Sequence, residues 1–212
     1  MKLLPRMGGV ISIWLASTIL GLKYFSILGI LIAILSLFSV NPLMNLRKDF
    51  SLLFPSVLAV VSIYLALLNA EIVIILIFYS SLFALLKITR DRRLSTKLGA
   101  LALTYPFPMM ALVSGAGIQQ IVTPLILLLS LTIFNFFLAD SRIYSGVNAK
   151  NYLSLIPLAV VFYFFAPLVI SIPVIVIATV VMLISERLTL RKFGFSLLFL
   201  HLMFAVGFLV AG

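Results

Sequence analysis

The segment Lys87-Ile88-Thr89-Arg90-Asp91-Arg92-Arg93 carries four bases and one acid between two apolar runs, Ile72–Leu86 and Leu98–Ser114. Charged side chains are costly inside hydrocarbon, so a charge run between two apolar runs is typical of a loop at a membrane surface. Short cytoplasmic loops retain Lys and Arg, and we therefore assign this loop to the inner side. The segment indicates a chain that crosses a membrane, and it sets the direction of the spans on either side.

The same pattern continues outward from this loop in both directions. Basic residues occupy every second connection between apolar runs, whereas the intervening connections hold only Lys23 and Glu71 as charged residues. This alternation predicts an amino terminus on the inner side and a multi-pass protein of the cell membrane. The other inner segments carry Lys2 and Arg6, Arg47 and Lys48, Arg142 and Lys150, and Arg187, Arg191 and Lys192.

The apolar runs predict an all-α membrane bundle of nine transmembrane helices. We expect a single transmembrane domain over residues 1–212, with no soluble domain. An odd number of spans places the carboxyl terminus outside. Several runs are shorter than the roughly 20 residues that cross a bilayer, so flanking residues must extend them. A kink at Pro167 would fuse Tyr152–Ile184 into one helix and give eight spans. Lys150 and Arg187 would then lie on opposite sides, so the charge pattern favours nine. The runs are Gly8–Leu22, Phe25–Val40, Phe50–Leu68, Ile72–Leu86, Leu98–Ser114, Ile118–Ala139, Tyr152–Phe165, Pro167–Ile184 and Phe193–Ala211.

The composition limits both the class of protein and its partners. A hydrophobic fraction of 64% and a charged fraction of 9% lie outside the range of soluble domains. The net charge of +10 is explained by the inner loops and favours anionic lipid or phosphate-bearing ligands; without aromatic residues among the bases, we predict no nucleic-acid partner. The absence of cysteine excludes disulfides, thiolate catalysis and iron–sulfur clusters, and the single histidine excludes bis-histidine haem and multi-histidine zinc sites.

Prolines are concentrated in the fifth run, where Thr104-Tyr105-Pro106-Phe107-Pro108 is the densest stretch. Proline removes a helix hydrogen bond that neighbouring helices must replace. One interpretation is a broken helix that opens a cavity, as in transporters. Ordinary kinking is the simpler interpretation, and we favour it.

A first candidate site follows the second run. Asn41, Asn45 and Asp49 are spaced by four, so on a helix they would form one polar stripe. Their oxygens are suitable ligands for Mg²⁺, and Arg47 and Lys48 are close enough in sequence to bind phosphate. The alternative, which the residues alone favour, is that Asn41 caps a helix beginning at the next residue and that Asp49 is solvated or paired with a base.

A second candidate follows the sixth run, where Asn135, Asp140, Arg142 and Tyr144 fall within about two and a half helical turns. These residues supply an amide, a carboxylate, a guanidinium and a phenol. The alternative is a helix end with an interfacial tyrosine. A third candidate is the opening segment itself: Arg90 and its neighbours would suit a diphosphate or lipid phosphate, although such a charge run is most often only a topology anchor.

Two further ionisable residues need an interpretation. His201 lies near the middle of the last run, where an ionisable group is a functional candidate by default. No neighbouring run carries a carboxylate at that level, so we predict a neutral histidine hydrogen-bonded between helices. Glu71 lies at the outer edge, and we predict that it is solvated.

Nine spans and two polar inner loops, after the second and sixth spans, resemble the UbiA superfamily of intramembrane prenyltransferases. That family carries an Asn-Asp-x-x-Asp-x-x-x-Asp motif after its second span and a second aspartate-rich motif after its sixth. Asn41 and Asp49 match the ends of the first motif, with Pro42 and Asn45 in place of its other aspartates. Asp140 resembles the start of the second motif. The opening residues 4–9 are similar to those of the YwiC-like proteins.

The resemblance implies an inner-leaflet cavity in which Mg²⁺ bridges aspartates to a prenyl diphosphate. Asp49 and Asp140 would then be the catalytic metal ligands. Each motif keeps only one carboxylate, so Arg47, Lys48, Arg90 and Arg142 would have to neutralise part of the diphosphate charge.

Two other functions stay open: a small transporter or permease that uses residues such as Gln119, Gln120 and His201, and a non-catalytic subunit that packs against partner membrane subunits.

Overall fold

The computed structural model describes residues 8–45, 53–89, 91–140, 142 and 153–211. Every regular element in these ranges is a helix, which confirms the predicted all-α class. The helices are α1 (Gly8–Leu22), α2 (Ile27–Asn45), α3 (Leu53–Leu68), α4 (Ala70–Ile88), α5 (Arg92–Ala102), α6 (Pro106–Val113), α7 (Ile118–Asp140), α8 (Leu155–Phe165), α9 (Leu168–Ile184) and α10 (Leu190–Ala211), with a 3₁₀ turn at Ser185–Arg187.

The fifth predicted run contains two helices instead of one. α5 begins at Arg92, inside the basic segment, and ends at Ala102. A turn over residues 103–105 separates it from α6, whose first residue is Pro106. Pro106 and Pro108 lack the N–H groups that would continue the backbone ladder of α5, so the helix ends here. The α-helical pattern is therefore interrupted at residues 103–105, where i→i+3 hydrogen bonds such as that from the Tyr105 N–H to the Ala102 carbonyl take its place. We call this interruption the break.

The break lies in the middle of the bundle. Residues 102–112 are all buried, and α6 packs against α1, α2, α4 and α7. Two glycines allow α1 and α2 to approach it closely. A Cβ added at Gly21 would lie 2.5 Å from the sulfur of Met110, and one added at Gly29 would lie 3.0 Å from the Cγ of the same residue. Side chains at these two positions would force the helices apart.

Helices α1 and α10 pack against each other extensively and run in the same direction. Ser12, near the start of α1, contacts His201. Leu20, eight residues later, shares a small pocket with Phe208 and Leu209. Both helices therefore advance together along the bundle.

Helices α8 and α9 form a hairpin. Ala166 and Pro167, which join them, are extended, with ψ angles of 146° and 144°. The ring of Phe162 on α8 is 5.7 Å from the ring of Phe204 on α10. Ile170 on α9 lies beside Gly207 on α10, three residues further along that helix. In a single long helix, Phe162 and Ile170 would lie more than two helical turns apart. Their partners on α10 are only three residues apart, so the chain reverses between Phe162 and Ile170.

The outer surface of the described bundle is strongly apolar. Large hydrophobic side chains are exposed along α3, α4, α8 and α9; Leu67, Phe164 and Val169 are among the most exposed. Two of the described helices, α7 and α10, are long and apolar enough by length and composition to cross a membrane. The other apolar helices are shorter. Apolar area on this scale marks an interaction with lipid or another protein surface.

Candidate functional site

The middle of α5, the end of α7 and the segment before α10 are joined by two contacts at one end of the bundle, which we call the basic end. Lys97 of α5 forms an ion pair with Asp140 of α7. Arg142, just beyond α7, donates a hydrogen bond from Nη2 to the carbonyl oxygen of Leu188, at 2.7 Å. Besides Lys97, Asp140 and Arg142, the chain next to Leu188 carries three exposed bases, Arg187, Arg191 and Lys192.

Arg142 of the basic end has a buried donor without an acceptor. Its Nε is buried and has no hydrogen-bond partner among the described residues. Asp140, the nearest acid in sequence, is paired with Lys97. A buried donor without an acceptor is costly, and the cost is larger for a charged group. Arg142 therefore presents a positive charge that the described protein does not neutralise.

The predicted cluster after the sixth run does not converge on one point. Asn135 faces the bundle core and contacts His201 of α10. Asp140 turns to Lys97 of α5, and Arg142 turns to the backbone before α10. Tyr144, the fourth predicted member, lies outside the described residues. The structure thus separates a core group from two groups at the basic end.

The predicted site after the second run falls mostly outside the described residues. Asp49, Arg47 and Lys48 are not described, and neither is Arg90 of the third candidate. Helix α2 continues to Asn45, so Asn41 and Asn45 are one turn apart on one helix, although their side chains are not described. The alternative that Asn41 caps a helix beginning at the following proline is wrong, because that proline lies inside α2.

A Mg²⁺ site with two metal ions needs several carboxylates in strict geometry. Of the two aspartates that the resemblance assigns to Mg²⁺, only Asp140 is described, and its carboxylate is paired with the ammonium of Lys97. The described residues therefore do not fit such a site by themselves. We derive no step through Mg²⁺.

His201 is fully buried and hydrogen-bonded between helices, as predicted. Its Nδ1 lies 3.0 Å from the carbonyl oxygen of Leu197, which can only accept, so we assign the ring proton to Nδ1. The amide nitrogen of Asn135 lies 3.1 Å from Nδ1 and 3.3 Å from Nε2, and with the proton on Nδ1 it can donate only to Nε2. The hydroxyl of Ser12 is 3.4 Å from Nδ1. The amide oxygen of Asn135 is buried without a partner. This cluster ties α1, α7 and α10 together in the apolar core.

The helix break is closed by hydrogen bonds from neighbouring helices. The hydroxyl of Ser17 donates to the carbonyl of Thr104 at 2.8 Å and accepts from the N–H of Phe107 at 2.9 Å. Tyr79 donates to the hydroxyl of Thr104 at 2.7 Å, because that hydroxyl already donates to a backbone carbonyl. Tyr105 likewise contacts a serine of α3 at 2.6 Å. The hydroxyls of the break and the Thr104 carbonyl are paired within the protein, and residues 102–112 are buried, so the break does not present an open binding site.

The opposite end of the bundle contains Glu71, which the sequence predicted to be solvated. One oxygen of its carboxylate accepts a hydrogen bond from the N–H of Ile118 at 2.9 Å. Ile118 is the first residue of α7, where backbone N–H groups lack helical partners and the helix dipole favours negative charge. Glu71 therefore caps α7, and the prediction missed this role.

Comparison with known proteins gives one informative relative. An uncharacterized protein of Archaeoglobus fulgidus is 56% identical to this chain over 209 residues, which cover 99% of this chain and 96% of that protein. The chain belongs to the same family as this archaeal protein. No family model matches the sequence, and no solved structure matches it.

Proposed function

We propose that this member of the family is a multi-pass membrane protein that binds a phosphate-bearing amphiphile at its basic end. The apolar outer surface and the predicted alternation of basic and uncharged connections support the membrane location. Nine crossings are proposed because α1 and α10 run in the same direction. Eight crossings would make the first and last spans antiparallel.

The single observation that carries the ligand proposal is the state of Arg142. Its guanidinium is planar and always charged, and it presents donors in a geometry that matches phosphate oxygens. One donor is used by Leu188, and the buried Nε is left without an acceptor in the described residues. Exposed Arg187, Arg191 and Lys192 add positive charge at the same end. An amphiphile whose phosphate lies here would place its hydrocarbon along the apolar surface.

An isoprenoid diphosphate is the ligand of this class that the UbiA resemblance implies, and transfer of its prenyl group is the further step that we propose to test. Labelled prenyl diphosphate and Mg²⁺ would be supplied to the protein and to Asp49→Ala and Asp140→Ala. A transporter is less well supported, because the break between α5 and α6 is closed internally by residues such as Ser17.

The binding proposal is tested in lipid nanodiscs with a prenyl diphosphate and the matching prenyl alcohol. We expect the diphosphate to bind and the alcohol to bind at least tenfold more weakly. Hydrogen bonds to charged groups contribute roughly 1.5–3 kcal/mol, so Arg142→Gln should weaken diphosphate binding about tenfold or more. Lys23→Gln removes the same charge at the opposite end and should change binding less than twofold.

Two results would contradict the proposal. Equal affinity for the alcohol and the diphosphate would show that the phosphate is not recognised. Unchanged diphosphate affinity in Arg142→Gln, in a protein that remains folded by its melting curve, would show that the basic end is not the site.

A further inference from the structure

The ion pair between Lys97 and Asp140 stands at the surface of the basic end. Its two side chains are 32% and 37% exposed, so a ligand at this end can reach both. The pair joins the middle of α5 to the last residue of α7, and Arg142 follows two residues later. The carboxylate of Asp140 thus occupies a base inside the proposed phosphate site.

We propose that Asp140 determines which anionic headgroups bind, because it competes with them for the ammonium of Lys97. This inference rests on the proposed phosphate-binding function. A headgroup with a single negative charge would interact with the ammonium of Lys97 no more strongly than the carboxylate of Asp140 does. A diphosphate or phosphomonoester carries additional charge and can displace the carboxylate. Asp140 would therefore select highly charged headgroups over phosphodiesters.

Three physical points support this role. A carboxylate oxygen and a phosphate oxygen both accept hydrogen bonds from an ammonium, so they are interchangeable partners for Lys97. An exposed ion pair contributes little stability, so its exchange for a better partner is inexpensive. Arg142 remains available beside the pair, since the described residues give it no carboxylate. A doubly charged ligand bound at Lys97 would also be attracted by the charge of Arg142 at the same end of the bundle.

This role makes a prediction opposite in sign to that of a metal ligand. If Asp140 held Mg²⁺ for a diphosphate, its replacement would weaken diphosphate binding. If it competes for Lys97, Asp140→Asn should strengthen anion binding, most of all for the singly charged ligand. The asparagine has nearly the same size and shape, so the effect reports on charge.

The test measures two affinities in nanodiscs made of zwitterionic lipid: one for a prenyl diphosphate and one for a phosphodiester lipid. We expect the wild-type protein to prefer the diphosphate. In Asp140→Asn, phosphodiester affinity should rise about fivefold to tenfold and diphosphate affinity by about twofold, so the preference falls. Asp91→Asn changes the net charge equally at the same end and should alter both affinities by the same small factor.

A second background shows whether Lys97 mediates the effect. In Lys97→Met, the gain on adding Asp140→Asn should disappear, whereas an effect of net charge alone would persist. The inference is overturned if Asp140→Asn weakens diphosphate binding, or if it raises both affinities equally. If the wild-type protein binds neither anion, the phosphate-binding function itself fails. If it binds the diphosphate with an unchanged preference in Asp140→Asn, only the role of Asp140 fails.

Discussion

Replacing Ser17 with alanine should destabilise the bundle strongly, although it removes a single oxygen atom. Ser17 is fully buried, and its hydroxyl serves two backbone groups of the break, the Thr104 carbonyl and the Phe107 N–H. Each buried group left without a partner costs roughly 1–3 kcal/mol, and with partial relaxation we expect a loss of roughly 2–4 kcal/mol in the free energy of unfolding.

Ser39→Ala is the matched control. Ser39 is also fully buried, but its hydroxyl donates only to the carbonyl of Leu35 in its own helix, at 2.6 Å. That carbonyl keeps its helical backbone partner when the hydroxyl is removed, so no group is orphaned. The two variants lose the same atom, and their difference isolates the closure of the break.

Unfolding can be followed in detergent micelles by the fluorescence of Trp14, the one tryptophan of the chain. Its indole N–H donates to the carbonyl of Ala33 at 2.8 Å, so its emission reports separation of α1 from α2. A difference of less than about 0.5 kcal/mol is typical of substitutions without a specific effect. If the free energies of unfolding of Ser17→Ala and Ser39→Ala differ by less than this, Ser17 does not hold the break closed.

Three further predictions use the same unfolding assay. Gly29→Ala should cost roughly 1–3 kcal/mol, because its Cβ would lie 3.0 Å from a methionine of α6, whereas Gly117→Ala has nothing within 4 Å and should be near neutral. His201→Leu and Asn135→Leu should each destabilise, and the double variant should cost at least about 1 kcal/mol less than their sum, since each single change orphans the other side chain; additive costs would contradict this. Glu71→Ala should cost about 1 kcal/mol by uncapping α7, with Glu71→Gln intermediate, and equal losses would show that charge is irrelevant.

Most helix positions could be predicted from the sequence, because hydropathy alternates clearly between runs and connections. α1 spans Gly8–Leu22 as predicted, and α7 extends only one residue beyond the predicted end, to Asp140. The separation of α8 from α9 was also indicated, by the bases on either side. These features depend on local composition, which a single sequence displays directly.

The break between α5 and α6 was only partly predictable. Its prolines were visible, but apolar residues continue from Leu98 across Leu103 to Val113, so the apolar run itself shows no boundary. Whether such prolines kink or break a helix depends on partners elsewhere, and Ser17 is 87 residues away from the carbonyl it binds. Nothing in the local pattern identifies that partner.

The candidate site was also predictable only in part. His201 was interpreted correctly, since the absence of nearby carboxylates in the sequence left hydrogen bonding as its only stable arrangement. The pairing of Asp140 with Lys97 was missed, as was the capping by Glu71. The sequence contained a signal for the pairing of Asp140 with Lys97, because the two opposite charges lie at the same predicted end of adjacent runs. Using this signal requires the order of the helices around the bundle, which the sequence does not contain.

The packing of α1 against α10 has a consequence for biosynthesis. A ribosome releases α1 early, yet its largest described interface is with a helix that lies about 190 residues later, as the separation of 189 between Ser12 and His201 shows. Until α10 emerges, Ser12 and His201 cannot form their contact across the bundle. α1 therefore remains without its largest described interface through most of the synthesis of the chain, and the packing of α1 is completed only when α10 is added.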